Sequence, residues 1–187
     1  MKKVLFLYFT IIFYFCGCIF SIPHDYVPIH IGHKKIPLYK FQDKEKDISY
    51  IYHKYKFYSK VYERFMLMIA HNRKEKRLSI NFNYRGDDWI FYDRIVLMND
   101  KKDRMIWSFH NLDQNVDILK RGVTVEDIIL HLSSEQVIRL ERLLENGRVV
   151  KFWFMGKEDA FFCLSNEDRL ANLDVIKYYK QLNLVNI

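Results

Sequence analysis

The sequence predicts an α+β domain in which an antiparallel sheet of about five to six strands packs with three helices. Three observations carry that expectation. Leu78, Ile80, Phe82 and Tyr84 alternate with Ser79, Asn81, Asn83 and Arg85, the period of a strand with one buried face. Apolar residues recur at steps of three and four in other stretches, the period of a helix. The strand-like segments also come in runs closed by helices rather than alternating with them singly, which favours hairpins over parallel crossovers. Half of the 187 residues are hydrophobic and 17% are aromatic, enough to fill one core.

The first element is not part of that fold. Lys2 and Lys3 precede an apolar run from Val4 to Phe20, shorter than the roughly 20 apolar residues a spanning helix needs, so residues 1–21 read as a secretory signal. Cys18 follows the small residue Gly17 at the end of this run, a pattern that resembles the lipobox of bacterial lipoproteins and makes Cys18 the candidate lipid attachment site. Each buried acyl methylene adds about 0.8 kcal/mol of membrane affinity. Phe15 stands where the lipobox usually has Leu, so ordinary cleavage near Cys18 or Ser21, or an uncleaved anchor, stay open. All three readings place the protein in a cell envelope; the acylated one puts it at an outer membrane or cell surface. Cys16 and Cys18 belong to the signal, which leaves Cys163 without an intramolecular partner. Within Ala160–Leu164 it is expected to be a small buried apolar residue.

Residues 22–46 contain all three prolines and His24, His30 and His33 with no sustained periodicity, and read as a tether. His30 and His33 lack carboxylate or thiolate partners at fixed spacing, so no metal site is assigned. A single domain is expected over 47–187. It opens with an amphipathic helix at 48–71, where Ile48, Ile51, Tyr55, Tyr58, Tyr62, Phe65 and Ile69 form one stripe that docks on the protein's own sheet or on a second chain.

An antiparallel meander follows: the alternating strand from Leu78, a turn at Gly86-Asp87-Asp88, a strand from Trp89 to Met98, and a third from Arg104 to His110. Trp89, Trp107 and Trp153 all fall in strands and are assigned to the core. Asn111 to Gly122 reads as a long connection, and Val123 to Leu132 reads as a strand at its start, with a short helix as the alternative. Ser133 and Gln136 form a capping-box signature for a helix from Ser134 to Glu145, which stops at Asn146-Gly147. Val149–Met155 and Ala160–Leu164 make a hairpin, and Ser165 with Asp168 starts the last helix.

Chemistry is sparse. There is no Gly-Xaa-Ser-Xaa-Gly elbow, no His-Glu-Xaa-Xaa-His, no phosphate-binding glycine loop and no Cys-Xaa-Xaa-Cys, and no catalytic residue, metal ligand or cofactor is assigned. The charge is more informative. Of the formal +7, the segment from Lys34 to Arg77 holds 13 Lys and Arg against 5 Asp and Glu. Lys54, Lys56, Lys60 and Arg64, off the apolar stripe of the 48–71 helix, are the candidates for meeting anionic lipid, acidic polysaccharide or an acidic protein face. Nucleic acid is disfavoured by the export signal. The competing reading is an exported hydrolase using His110 or His131 with a nearby carboxylate, and a third is a structural partner in an envelope assembly.

Tyr84-Arg85-Gly86-Asp87-Asp88-Trp89-Ile90-Phe91 and the later Leu164-Ser165-Asn166-Glu167-Asp168 resemble a group of spirochaetal envelope lipoprotein antigens, over roughly residues 78 to 182. The resemblance implies anchoring and exposure rather than a reaction. The expectation is therefore a membrane-anchored, non-enzymatic envelope lipoprotein that binds a ligand or serves as a surface antigen.

Overall fold

The computed structural model describes residues 22–31, 33–58, 64–109, 115–118 and 123–184. The broad α+β class holds, but the single sheet with three helices does not: the described residues form two antiparallel sheets and two α-helices. In chain order the elements are β1 (Val27–Ile31), β2 (Lys34–Asp43), β3 (Ile48–His53), β4 (Phe65–His71), β5 (Lys76–Gly86), β6 (Arg94–Asn99), β7 (Arg104–Ser108), β8 (Asn115–Ile118), β9 (Thr124–His131), α1 (Ser134–Asn146), β10 (Val150–Met155), β11 (Ala160–Leu164) and α2 (Asn166–Leu184). The large sheet has the order β1-β2-β3-β4-β5-β9-β8, and the small one β11-β10-β6-β7.

The expected helix at 48–71 is the main correction. Ile48–His53 and Phe65–His71 are neighbouring strands, joined through a 3₁₀ turn at Lys54–Phe57 and residues outside the description. The three-and-four spacing arises from two strands and a turn read as one segment. Phe65 to Ile69 are all buried, so this strand is covered on both faces and shows no alternation to set against the helical count. A coiled-coil seam along 48–71 thus has no continuous helix to form on, since strands occupy both ends of the stretch.

The expected tether is structured too, because β1 and β2 are the first hairpin of the large sheet. Its prolines fall where their missing N–H groups are not needed. Pro28 lies in the edge strand at a register irregularity, and Pro37 lies opposite that irregularity, one residue beyond the last β2–β3 pair at Leu38 and His53.

The small sheet packs on the large one through an aromatic core. Phe154 is fully buried and its ring meets those of Tyr92, Phe152, Phe162, Tyr84 and Phe82 at centroid distances between 4.8 and 6.5 Å. Trp107 joins this core beside Phe82, as expected. Trp89 instead sits half-buried outside any strand, stacked on Phe91, and Trp153 is half-exposed. Cys163, expected to be buried, is exposed, because the alternation of β11 turns it to the outside of the small sheet.

Segment 89–93, expected as strand, crosses between the sheets as an irregular connection. Glu126, fully buried in β9, accepts the N–H groups of Ile90 (2.6 Å) and Phe91 (3.1 Å) on Oε1. That clamp holds Phe91 in the left-handed region at φ 47°. The backbone here lies so close to the end of β10 that a Cβ on Gly156 would fall 2.3 Å from the Ile90 carbonyl oxygen, which is why glycine stands there.

Helix α2 repairs a gap in the large sheet. β3 pairs with β4 only at Ser49–His71, Tyr50–Ala70 and Ile51–Ile69, and beyond that β4 has a bare edge. The buried Asn172 of α2 fills it: its Oδ1 accepts the Leu67 N–H at 2.9 Å and its Nδ2 donates to the Asp168 carbonyl at 2.9 Å. Both helix starts match the sequence reading. Ser133 and Gln136 form the capping box of α1, and Ser165 and Asp168 bond reciprocally at the start of α2.

Candidate functional site: a basic groove at the end of the large sheet

Strand register builds the site. Gln42, Ser49, His71 and Lys76 are consecutive partners across β2, β3, β4 and β5, so their side chains stand in one row on the face that carries α2. Lys40 stands one pleat further along. The Ser49 hydroxyl donates to the Gln42 amide oxygen and fixes that end of the row. At the other end Lys76 Nζ donates to the Leu182 carbonyl at 2.7 Å, placing a cation on the negative C-terminal end of α2.

The β4–β5 turn brings two more cations. The Asn72 side chain accepts the N–H groups of Lys74 and Glu75, each at 2.8 Å, and this tight turn projects Arg73 and Lys74 beside the row. Together these residues line a groove of about 560 Å³, bounded also by Asn183 of α2. Its two carboxylates are engaged with arginines: Asp47 lies 3.7 Å from Arg73 Nε, and Glu75 lies 2.7 Å from Arg77 Nη2. Lys40 and Lys74 enter no ion pair among the described residues.

The charges act on one another. Partial burial, then the nearby Lys76 and Lys40, hold the His71 imidazole below its ordinary pKa. At neutral pH His71 is therefore an uncharged donor or acceptor among cations. An anion in the groove would reverse part of that shift and draw a proton onto the ring.

The cations expected to form the site do not converge. Lys54 is exposed in the 3₁₀ turn. Lys56 Nζ donates to the Tyr26 hydroxyl at 3.0 Å and lies 3.8 Å from the Tyr52 ring centroid, so its charge is used inside the protein. Arg64 donates to the Arg85 carbonyl at 3.2 Å and covers the Phe162 ring at 4.2 Å. Lys60 lies outside the described residues, as do Cys18 and His110. The segment Lys34–Arg77 nevertheless supplies the groove's cations, which sequence reasoning located by stretch and not by residue. The local signal is the charged run Arg73–Arg77, which follows directly on the stretch expected as a helix.

His131 does have a partner. Its Nδ1 lies 2.8 Å from Ser79 Oγ at a pocket of about 330 Å³ that also has Tyr50, Met68, Arg77 and Ile129 in its wall. This pair points away from the α2 side, by the alternation of β5 and β9. Ser79 has no exposed surface, so its hydroxyl cannot meet a substrate in this arrangement. Among the described residues no group of three or more His, Cys, Asp or Glu is placed to hold a metal ion, and no helix is long and apolar enough to cross a membrane.

Comparison with known protein families, with curated proteins and with solved structures finds no match.

Proposed function

We propose that this chain is a membrane-anchored, non-enzymatic envelope lipoprotein that binds an anionic partner in the groove of Lys40, Arg73, Lys74 and Lys76. The observation that carries the reading is convergence. Cations from two strands and a turn meet over one concavity whose two carboxylates are already engaged with arginines. The apolar leader with Cys18 supports the anchoring half of the reading.

The test is titration with a soluble acidic polysaccharide and, separately, with anionic lipid vesicles added to protein lacking residues 1–21. Replacing Lys40 and Lys74 together by Glu should weaken polysaccharide binding by roughly tenfold or more, and raising salt several-fold should weaken the native protein in the same direction. Saturation should also raise the His71 pKa, followed through its ring proton shifts. Binding that is indifferent to both salt and charge reversal would refute the groove. For the anchor, the mature chain from its native membrane should carry acyl mass at Cys18 that a Cys18→Ala variant lacks.

The Ser79–His131 pair favours a hydrolase as the second reading. It requires that Ser79 become exposed, so covalent capture of Ser79 by a fluorophosphonate, abolished by His131→Ala, would support it over the binding reading.

A further inference from the structure

The outward face of the small sheet carries a row that neither the fold nor the groove explains. Phe161, Trp153, Val96 and Ile106 are consecutive register partners across β11, β10, β6 and β7, so four apolar side chains cross the entire sheet. At a strand spacing of about 4.8 Å the row is about 15 Å long. Its two ends are the most open, Phe161 at 64% and Ile106 at 50% exposure. In a strand that packs only one face, outward positions are ordinarily polar.

What surrounds the row identifies its partner. Arg94, Arg104 and Lys151 point outward beside it, and none of the four strands contains an Asp or Glu. A second copy of the same face would bring these cations against each other, which disfavours self-association. A helix needs a groove to seat its side chains and an added strand needs a sheet edge, whereas the row lies on the face of a sheet paired without a register break. A bilayer surface needs no concavity. It accepts Trp and Phe at the headgroup level, lets the stems of Arg and Lys lie over apolar surface, and pairs their charges with anionic headgroups.

We propose that the outward face of the small sheet, built on Phe161, Trp153, Val96 and Ile106 and flanked by Arg94, Arg104 and Lys151, docks on an anionic lipid surface. Contact through this face orients the domain on the membrane, and it does not depend on what the groove binds.

The test reads tryptophan quenching, because the full chain carries its own apolar leader and vesicle binding alone would not report this face. The full-length protein is reconstituted in vesicles of phosphatidylglycerol and phosphatidylcholine with brominated acyl chains, and in brominated phosphatidylcholine alone. Trp107 is buried in the core and Trp89 lies off the small sheet. The native chain in anionic vesicles should therefore be quenched about twofold more than Trp153→Phe, and this excess should vanish in neutral vesicles and in Arg94→Glu/Lys151→Glu. Exposed Cys163 gives a second readout on the same face: maleimide labelling of its own peptide should slow several-fold in anionic vesicles. Equal quenching with and without Trp153, or an excess that persists in neutral vesicles, overturns the proposal. Protection of Cys163 that rises with protein concentration and not with anionic lipid would assign the face to a second copy, and protection only when other envelope proteins are present would assign it to a protein partner.

Discussion

The two sheets differ in regularity, and their surfaces differ in shape and charge. In the small sheet every residue of β10 from Val150 to Phe154 has a partner on both sides, with no register break. In the large sheet β1 and β2 pair through an irregularity, β3 and β4 share three pairs, and α2 closes the space that opens between them. Concavity arises at the other end of the sheet, where Gln42, Ser49, His71 and Lys76 stay in register. The groove lies where strand ends, a tight turn and the end of α2 meet, and the charged residues gather there. An exposed apolar row and a charged groove suit different contacts: the first gains from area removed from water, the second from fields that salt screens.

The contrast can be broken most strongly where the sheets meet. Phe154→Ala removes the ring at the centre of the aromatic core and should cost about 3 to 5 kcal/mol, as for other buried Phe truncations. Urea unfolding would measure it. Both surfaces depend on this packing, so groove binding should be lost along with the small sheet's docking once the variant unfolds.

Asn172→Ala sharpens the comparison, since it touches only the large sheet. It leaves the buried Leu67 N–H without an acceptor, which costs about 1 to 3 kcal/mol. Hydrogen exchange should speed at Leu67 and along β3 and β4 before it does so in β6 or β10. Uniform acceleration across both sheets would show that the gap is not a local weakness.

The same contrast explains what could be read from the chain. The β10–β11 hairpin and both helix starts are local: Gly156-Lys157-Glu158-Asp159 lies between two short apolar runs, and the Ser133–Gln136 and Ser165–Asp168 pairs act within one turn. The large sheet's first half is not local. Ile48 to Ile69 holds a helical count although Tyr, Ile and Phe favour strands, and β4 within it is covered on both faces, so alternation is absent there. The groove was legible as a charge excess only. Gln42, Ser49, His71 and Lys76 lie far apart in sequence and become neighbours through register, which no local pattern records. Likewise the aromatic content marked a core, but whether Trp153 faces in or out depends on which side of β10 the large sheet packs.

Charge reversal at Lys40 and Lys74 separates the two surfaces without disturbing either sheet. Both side chains are exposed, so the double Glu variant should change stability by no more than about 0.5 kcal/mol while losing groove binding. Tryptophan quenching by anionic vesicles should be unaffected, because Trp153 lies on the other sheet. Loss of both signals together would mean that one membrane contact uses the groove and the row at once.

The smallest expected effect concerns how tightly the small sheet's own turn is specified. Lys102 sits between β6 and β7 at φ 68°, a left-handed conformation that costs a non-glycine residue about 1 to 2 kcal/mol. The turn is held by Asn99, whose Oδ1 accepts the N–H groups of Lys101 and Asp103 and whose Nδ2 donates to the Leu143 carbonyl of α1. Lys102→Gly relieves the strain, and part of the gain is offset by the greater freedom of glycine in the unfolded chain. A net stabilisation of about 0.5 to 1 kcal/mol should appear in urea unfolding. Because the turn is already fixed by three side-chain bonds, quenching at Trp153 should not change; if it does, the alignment of the row depends on strain in this turn and not on strand register alone.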